Sequence, residues 1–482
     1  EQVASLHRWR GPRDRLLQAV ADIEKSSPVR RSFEVQELAR PAETPTNSWM
    51  RFGAIDFLSD QGELVVTTWS GDVWLIESGK EDESSLQWTR IASGLNQPLG
   101  LVVRNGEILV LGRDQVTRLV DLNGDRVTDF YENINNDSMN SEHFHEPATG
   151  LQVDASGHLY YLKAARHAKD ASHPHHGTLV RIRDDGSESV VLASGLRAPN
   201  GLYLDAEDVY FCSDQEGHWM PANRINRIRA GGFYGNKWSG HEDSSRDDYD
   251  RPLVWIHPSV DRSPSSQVRV DDPAWGSLDG RLLGLSYGTG AVYLILEDEV
   301  EGVHQGGIVP LPIRVPTGLM SGRFSQVDSS LYLCGLVGWS SDAREDGGLY
   351  RVTPAGPLPP LPLEVQAVSD GLVLTFNEPL DQAGESLDRW SVEAWNYLWT
   401  QRYGSPDIML DGAGEGRTSL VIKSVHLSAD RRRIWLQIPD MMPAMQMQID
   451  YVLPFDGREH ESYAHLTVHE LHEESGRAKL RD

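Results

Sequence analysis

Short apolar runs separated by turn residues recur along most of the chain, and each group of runs begins with a similar phrase. The phrase is Pro-x-Gly-Leu or a close variant, and its glycines are Gly53, Gly100, Gly150, Gly201 and Gly318. After each glycine come an apolar run, a turn and two further apolar runs. Apolar runs of this length, bounded by turn residues, predict β-strands.

The spacing of the phrase predicts a repeated unit of roughly 50 residues. The interval between the fourth and fifth glycines is about twice as long, so we expect a degenerate unit near 265–268. Periods of this length are typical of propellers and solenoids, and units made of strands favour the propeller. The pattern therefore predicts an all-β protein with a six-bladed β-propeller over 47–353, each blade having about four strands.

Composition divides the rest of the chain into four further segments. Spaced aliphatic residues predict a short helix between Arg13 and Lys25, clustered prolines predict a stiff linker, and alternating apolar runs predict a small β-sandwich of the immunoglobulin or fibronectin type. The predicted segments are an N-terminal helical extension (1–46), a proline-rich linker (354–364), the β-sandwich (365–473) and a charged tail (474–482).

The acidic charge of the chain excludes nucleic acid as a partner. Its 71 acidic and 45 basic residues give a formal net charge of −26, whereas nucleic-acid binding requires a basic surface. No apolar run reaches the roughly 18 residues that a membrane-spanning helix needs. Together with a first residue, Glu1, that fits removal of a signal peptide, these features favour a secreted or periplasmic protein.

The repeat also assigns the loops to the two faces of the propeller. In each blade, the connection into the innermost strand and the turn after the second strand lie on the same face. His145 is the first candidate for proton transfer, because it closely precedes an inner strand and histidine titrates near neutral pH. Arg197 and Tyr287 are the other catalytic candidates. For any single histidine, the alternative is a hydrogen bond that only holds its loop.

Polar and aromatic side chains on this face predict a funnel that binds carbohydrate, because cations and amides contact sugar oxygens and aromatic faces contact sugar rings. The candidate substrate- or cofactor-binding residues are Gln97, His143, Glu146, Lys163, Arg166, Asn200, Asp214, Gln215, Trp219 and Thr317. The opposite face offers turns and few such groups.

Two loops predict metal ions. One is rich in histidine, a common ligand of transition metals, although its spacing matches no fixed metal signature; its candidate ligands are His167, His173, His175 and His176. A mobile histidine-rich loop over the funnel is the alternative. The other loop alternates oxygen-bearing side chains around a glycine, as calcium-binding loops do; its candidate ligands are Asp121, Asn123, Asp125 and Asp129. Its alternative is an Asn-Gly hairpin turn without metal.

The segment 195–236 resembles the soluble quinoprotein sugar dehydrogenases, six-bladed propellers that bind pyrroloquinoline quinone (PQQ) and calcium and oxidise aldoses. The likeness rests on four phrases in the same order as in that family. They are Gly-Leu-Arg-Ala-Pro-Asn-Gly from Gly195, Asp-Gln-Glu-Gly from Asp214, Arg-Ile-Asn from Arg224 and Gly-Gly-Phe-Tyr-Gly from Gly231.

The resemblance implies roles for several residues. Arg197 would face the quinone, and the backbone carbonyls of Gly217 and His218 would approach calcium. His145 would take the proton from the sugar hydroxyl as hydride leaves. The chain departs from the family at Ala198, which replaces asparagine, and in blades five and six, where the quinone-binding lysine and arginine pair have no clear counterpart. Without those cations a tricarboxylate cofactor would be poorly neutralised.

A closer likeness, over nearly all of the propeller, is to large secreted bacterial proteins labelled as dehydrogenases and often joined to a cytochrome c domain. The segments 68–74, 144–146 and 176–179 carry it. It implies a cytochrome c electron acceptor, either separate or following residue 482.

Three functions stay open: quinoprotein-type sugar oxidation, a non-redox carbohydrate lyase or hydrolase that uses His145, Tyr287 or a histidine-bound metal, and carbohydrate binding without catalysis.

Overall fold

The computed structural model describes residues 31–41, 44, 47–78, 86–205 and 209–480. In this part of the chain, regular structure is almost entirely β-strand. One short α-helix, α1 (Gly476–Lys479), is present near its end. The 3₁₀ helices are Lys237–Ser239, His241–Ser245, Pro273–Leu278, Gln382–Glu385 and Leu387–Arg389. The helix predicted between Arg13 and Lys25 lies outside the described residues.

Six sheets of antiparallel strands form the blades. Strand β1 (Phe33–Glu37) comes first in the chain. Blade one contains β2 (Phe52–Phe57), β3 (Leu64–Thr68), β4 (Val73–Ser78) and β5 (Leu86–Ala92). Blade two contains β6 (Gly100–Arg104), β7 (Glu107–Leu111), β8 (Val116–Val120) and β9 (Phe130–Asn135). Blade three contains β10 (Ala148–Val153), β11 (Leu159–Lys163), β12 (Thr178–Ile182) and β13 (Ser189–Ser194).

The remaining blades follow the same order. Blade four contains β14 (Pro199–Leu204), β15 (Tyr210–Asp214), β16 (Asn223–Ile228) and, after the short β17 (Gly232–Phe233) that pairs with blade three, β18 (Val254–Ile256). Blade five contains β19 (Pro264–Arg269), β20 (Leu282–Ser286), β21 (Ala291–Val300) and β22 (Val303–Arg314). Blade six contains β23 (Gly318–Phe324), β24 (Leu331–Leu336) and β25 (Gly347–Pro354).

The first strands of the six blades contact one another in chain order and surround one axis. Their glycines explain the repeated phrase. Gly150 and Gly201 both have a φ of +71°, and a Cβ at either position would overlap the inner strand of the next blade. Only glycine combines this backbone conformation with such a close approach. The prediction of an all-β, six-bladed propeller is therefore confirmed.

The last blade is completed by the N-terminal strand. β1 pairs with β25, so the strand order in blade six is β1-β25-β24-β23. Residues 33–37 of the predicted helical extension thus form a strand. Phe33 packs against Trp275, with 5.2 Å between the ring centroids. This pairing covers an edge that would otherwise expose unpaired backbone groups, and it joins the two ends of the repeat region.

A C-terminal domain of two sheets follows the propeller. Its strands are β26 (Pro362–Val368), β27 (Gly371–Phe376), β28 (Trp390–Trp395), β29 (Thr418–Ser419), β30 (Ser424–Leu427), β31 (Arg433–Gln437), β32 (Ala444–Phe455) and β33 (Arg458–Val468). One sheet has the order β26-β27-β31-β30. In the other, β33 is hydrogen-bonded to β22 of blade five, which gives one sheet of eight strands. A single hydrophobic core cluster also runs from blade five into this domain.

The connection between β28 and β29 reaches back to blade four. We call its residues 396–408 the rim loop. Gly404 N donates to Gly217 O at 3.0 Å, and Trp399 Nε1 donates to Gly235 O at 2.9 Å. These contacts place part of the C-terminal domain at the mouth of the propeller.

Candidate active site in the propeller funnel

Backbone hydrogen bonds hold the loops that lead into the inner strands against the turns after the second strands. The bonds are Trp69 N to Arg51 O at 2.8 Å, Arg113 N to Asn96 O at 2.8 Å and Ala164 N to Pro147 O at 3.0 Å. In each of these three blades the two loops therefore lie on the same face, and the bond from Ala165 N to Arg197 O at 2.9 Å joins blades three and four there.

On this face, the loop that enters blade four carries a buried guanidinium, that of Arg197. Arg197 is 4% exposed. Its loop is held by Asp214, whose side-chain oxygens accept from the backbone N–H groups of Arg197 and Ala198 at 2.8 and 2.7 Å. Arg197 Nη2 lies 3.1 Å from His167 Nδ1, whereas Nη1 is buried without a hydrogen-bond partner. A buried, unpaired N–H on a cation favours an anionic ligand.

His145 is fixed in one tautomer beside this cation. Its Nδ1 lies 2.7 Å from Ala165 O, and because a carbonyl only accepts, Nδ1 carries the proton and Nε2 the lone pair. Ala165 N donates in turn to Arg197 O at 2.9 Å, so one residue ties both candidates together. Burial, followed by the charge of Arg197, lowers the pKa of His145 to about 4. His145 is therefore a neutral base at physiological pH.

A fully buried carboxylate supports the loop that carries His145. Glu146 Oε2 lies 2.7 Å from His176 Nε2 and accepts from Ser141 N at 3.0 Å, while the Ser141 hydroxyl donates to Oε1. Arg113 lies 3.8 Å from Glu146. Burial alone would raise the pKa of Glu146, but the hydrogen bonds from Ser141 and His176 outweigh it and lower the pKa to about 2. The carboxylate is therefore ionised and structural.

The rim loop adds a residue that the sequence analysis did not assign to the site. The ring of Tyr403 lies over the Arg197 guanidinium at 5.3 Å and edge-on to His218 at 5.5 Å. The ring centroid of His218 lies 5.2 Å from that of His167, and the ring centroid of His167 lies 5.5 Å from that of His145. No local pattern marks Tyr403, because its position depends on contact between two domains.

Several other predicted binding residues use their polar atoms to hold the loops. Lys163 is fully buried and donates to Arg113 O at 2.9 Å. In the other contacts, Lys163 Nζ donates to Asn140 Oδ1 at 2.6 Å, Arg113 Nη1 to Gln97 Oε1 at 3.4 Å, His145 N to His143 Nδ1 at 3.1 Å, Arg166 Nη2 to Glu142 Oε1 at 3.5 Å, Gln215 Nε2 to Arg262 O at 3.2 Å and Asn200 Nδ2 to Met320 Sδ at 3.7 Å. Thr317 is buried, and Trp219 packs against Trp399 at 5.6 Å.

The side of the funnel formed by blades one, five and six is aromatic. Tyr287 is fully buried and stacks on Trp339, with 3.8 Å between ring centroids. Its hydroxyl donates to Trp339 O at 2.6 Å and accepts from the N–H groups of Gly338 and Trp339 at 3.0 and 2.7 Å. Trp339 also lies 6.2 Å from Trp69. The Tyr287 hydroxyl is thus fully engaged within the protein.

The structure does not bring the two predicted sets of metal ligands to common points. In the loop 121–129, the oxygen atoms accept hydrogen bonds from the loop's own backbone, as in turns. Of the four histidines, His167 pairs with Arg197 and His176 with Glu146. His173 lies beside His176, and His175 is buried. Among the described residues, no group of three or more His, Cys, Asp or Glu side chains could hold a metal ion.

The residues present do not fit a calcium–quinone group held as the resemblance implies. Gly217 O accepts from Gly404 N at 3.0 Å and from Met220 N at 3.1 Å, which uses both of its lone pairs. Two arginines of blade five, Arg262 in the loop that enters the blade and Arg314 at the end of β22, both pair with Asp342. The rim loop therefore occupies one of the two carbonyls that the resemblance assigns to calcium, and these two arginines already have an anionic partner.

The structure is similar to solved structures of soluble sugar dehydrogenases. The aldose sugar dehydrogenase of Escherichia coli in its apo form is 14% identical, with 67% of this chain and 99% of that chain covered and a TM-score of 0.47. The PQQ-bound aldose sugar dehydrogenase of Streptomyces coelicolor is 13% identical (68% and 99% covered, TM-score 0.47). A gluconolactonase of Xanthomonas campestris is 17% identical (64% and 86% covered, TM-score 0.39). No protein-family model and no curated protein sequence matches the chain.

Gly217 should be required for the position of Arg197. A Cβ at residue 217 would overlap Arg197 Nε. We expect Gly217→Ala to displace the guanidinium and to lower turnover by about 100-fold, as small misplacements of catalytic groups do. Steady-state kinetics checks this, with Gly414→Ala as control, because residue 414 has open space around its Cβ position. Equal activity of both variants would contradict the requirement.

Proposed function

We propose that the protein acts on a carboxylate-bearing sugar by acid–base chemistry, with His145 Nε2 as base and Arg197 as the cation that binds the carboxylate. One observation carries the proposal: a neutral base and a buried cation with an unpaired N–H are tied together through Ala165. A base beside a carboxylate-binding cation is suited to removing a proton from the carbon next to that carboxylate.

The proposed reaction is a β-elimination. His145 takes the proton from the carbon that bears the carboxylate, a carbon–carbon double bond forms, and the carbon–oxygen bond to the neighbouring sugar breaks. The departing sugar oxygen takes a proton from solvent. Arg197 stabilises the negative charge that moves onto the carboxylate as the proton leaves. A hydrolase with two carboxylates is less well supported, because Asp214 is occupied by backbone N–H groups.

Quinone-dependent sugar oxidation is the second candidate. It is favoured by the placement of His145 and Arg197 in one cluster, since the resemblance assigns these two residues to the sugar hydroxyl and the quinone. PQQ would supply the hydride acceptor in that case. The occupied Gly217 carbonyl and the paired arginines weigh against it, so no step is derived through the cofactor. Binding of carbohydrate without catalysis is the third candidate and predicts no turnover.

A secreted or periplasmic location remains part of the proposal, supported by the strongly acidic composition. No helix among the described residues is long and apolar enough to cross a membrane. A cytochrome c acceptor would belong only to the oxidative candidate.

One pair of assays separates the candidates. Incubation with oligouronates should release products that absorb in the ultraviolet, because the new double bond is conjugated with the carboxylate. Incubation with PQQ, calcium and aldoses should reduce no dye. The opposite pair of results, dye reduction without ultraviolet absorbance, would replace elimination by oxidation. Neither signal, combined with measurable sugar binding, would leave the binding function.

The pH dependence of kcat/KM, which reports the free enzyme, should show the lowered pKa of His145. Because the base is active only when neutral and its pKa is about 4, kcat/KM should be constant from about pH 5 upward and should fall about tenfold per unit below pH 4. An unperturbed histidine would give a limb near 6.5. An NMR titration of the His145 ring in Arg197→Gln should give a higher pKa than in the wild type, since the positive charge is removed.

A further inference from the structure

Two exposed aromatic rings lie beside the proposed catalytic pair. Phe144 is 75% exposed and lies edge-on to His145 at 5.9 Å between ring centroids. Tyr403 is 53% exposed and covers Arg197 at 5.3 Å. Both rings lie 6.4 Å from the ring of His167. The base therefore has one exposed ring next to it, and the cation has another.

Neighbouring side chains hold each ring in place, although much of its surface stays exposed. Phe144 stacks on His143, with 4.8 Å between centroids and 22° between planes. Tyr403 rests on Arg197, and its loop is fixed by the bond from Gly404 N to Gly217 O. Ordered rings that keep a large exposed surface pay little entropy when a ligand covers them. Aromatic faces of this kind pack well against the apolar faces of sugar rings.

We propose that Tyr403 and Phe144 form sugar-binding subsites next to the reacting sugar, so that the substrate is an oligosaccharide or polysaccharide and not a monosaccharide. The identity of the reacting sugar as a uronate rests on the proposed function. The subsites themselves rest on the exposed rings and on the polar groups between them. The C-terminal domain then contributes directly to substrate binding through Tyr403.

The test measures binding by isothermal titration calorimetry with the full chain. The probes are two series of one to six sugar units: oligogalacturonates, which carry carboxylates, and neutral xylo-oligosaccharides. The proteins are the wild type, Tyr403→Ala, Tyr403→Phe, Phe144→Ala and Leu398→Ala. Leu398 lies in the same rim loop and is also exposed, at 48%, so its variant is a control for loop surface. Thermal unfolding of every variant confirms an intact fold.

Wild-type affinity for oligogalacturonates should rise with chain length, and Tyr403→Ala should remove about tenfold of that gain, which corresponds to the loss of one stacking contact. Phe144→Ala should act in the same way. Tyr403→Phe and Leu398→Ala should bind like the wild type. Affinity that is independent of chain length, or an unchanged length dependence in Tyr403→Ala and Phe144→Ala, would overturn the proposal.

The same measurements keep this proposal distinct from the proposed function. Length-dependent binding that Tyr403→Ala removes, without any ultraviolet-absorbing product, would support the subsites and reject elimination. Elimination, combined with equal affinity for one and for six sugar units, would support the proposed function and reject the subsites. A length gain in the neutral series alone would support the subsites and remove the uronate from the proposed function.

Discussion

Replacement of His145 by alanine is expected to lower kcat by at least about 100-fold and by as much as about 10⁴-fold, the range that a general base contributes. The hydrogen bond to Ala165 O keeps the proton of the ring on Nδ1 and leaves Nε2 as a base, and Ala165 N also donates to Arg197 O. Thermal stability should change little, because the ring is only partly buried and its single hydrogen bond goes to one carbonyl. Steady-state kinetics and thermal unfolding measure the two effects.

The matched control for this experiment is His158→Ala. His158 belongs to the turn between β10 and β11 on the opposite face, where it contacts Asp154 at 3.2 Å. Its variant should keep full activity. Added imidazole should restore part of the activity of His145→Ala, since a small base can enter the vacated space. Full activity of His145→Ala would exclude a catalytic role for this residue.

Replacement of Glu146 by alanine is expected to lower the free energy of unfolding by about 3–5 kcal/mol, because it removes a buried, hydrogen-bonded charge and leaves its donors unpaired. The variant leaves Ser141 N and the fully buried His176 Nε2 without their acceptor. It also releases the loop that positions His145, so kcat should fall together with stability. Denaturant unfolding gives the free energy, and the same preparation gives the kinetics.

The control for this variant is an exposed glutamate four residues earlier in the chain. The side chain of Glu142 is 80% exposed and contacts only Arg166, at 3.5 Å. Glu142→Ala should change the free energy of unfolding by less than about 1 kcal/mol, as exposed ion pairs do. Glu146→Gln should lie between the two, because it keeps the shape and loses the charge. An effect of Glu146→Ala no larger than that of Glu142→Ala would show that the buried network is unimportant.

The propeller could be predicted from the sequence because its repeat has a local physical cause. The inner strands pack so closely that Gly150 and Gly201 admit no Cβ, and a glycine recurs at this point in every blade except the fifth. The N-terminal strand could not be found in this way. It lies outside the repeat, and its pairing with β25 depends on the ring being closed.

In the candidate site, too, residues near the repeated phrase could be predicted, whereas residues placed by a contact between domains could not. His145 and Arg197 are adjacent to repeat phrases, so their face and their proximity to the axis followed from the sequence. Tyr403 and the occupied carbonyl of Gly217 did not, because both arise where the rim loop meets blade four. A contact between two segments that lie far apart in the chain produces no repeated sequence pattern in either segment, so the sequence alone could not predict it.

The eight-stranded sheet has a mechanical consequence. Because β33 continues blade five through backbone hydrogen bonds, the C-terminal domain cannot act as a hinged lid that swings aside for substrate. Tyr403 is then a stationary wall, and under the proposals made above a long glycan would bind across its exposed face. Processive movement along a polymer would require sliding past this fixed ring, without any opening and closing of the enzyme.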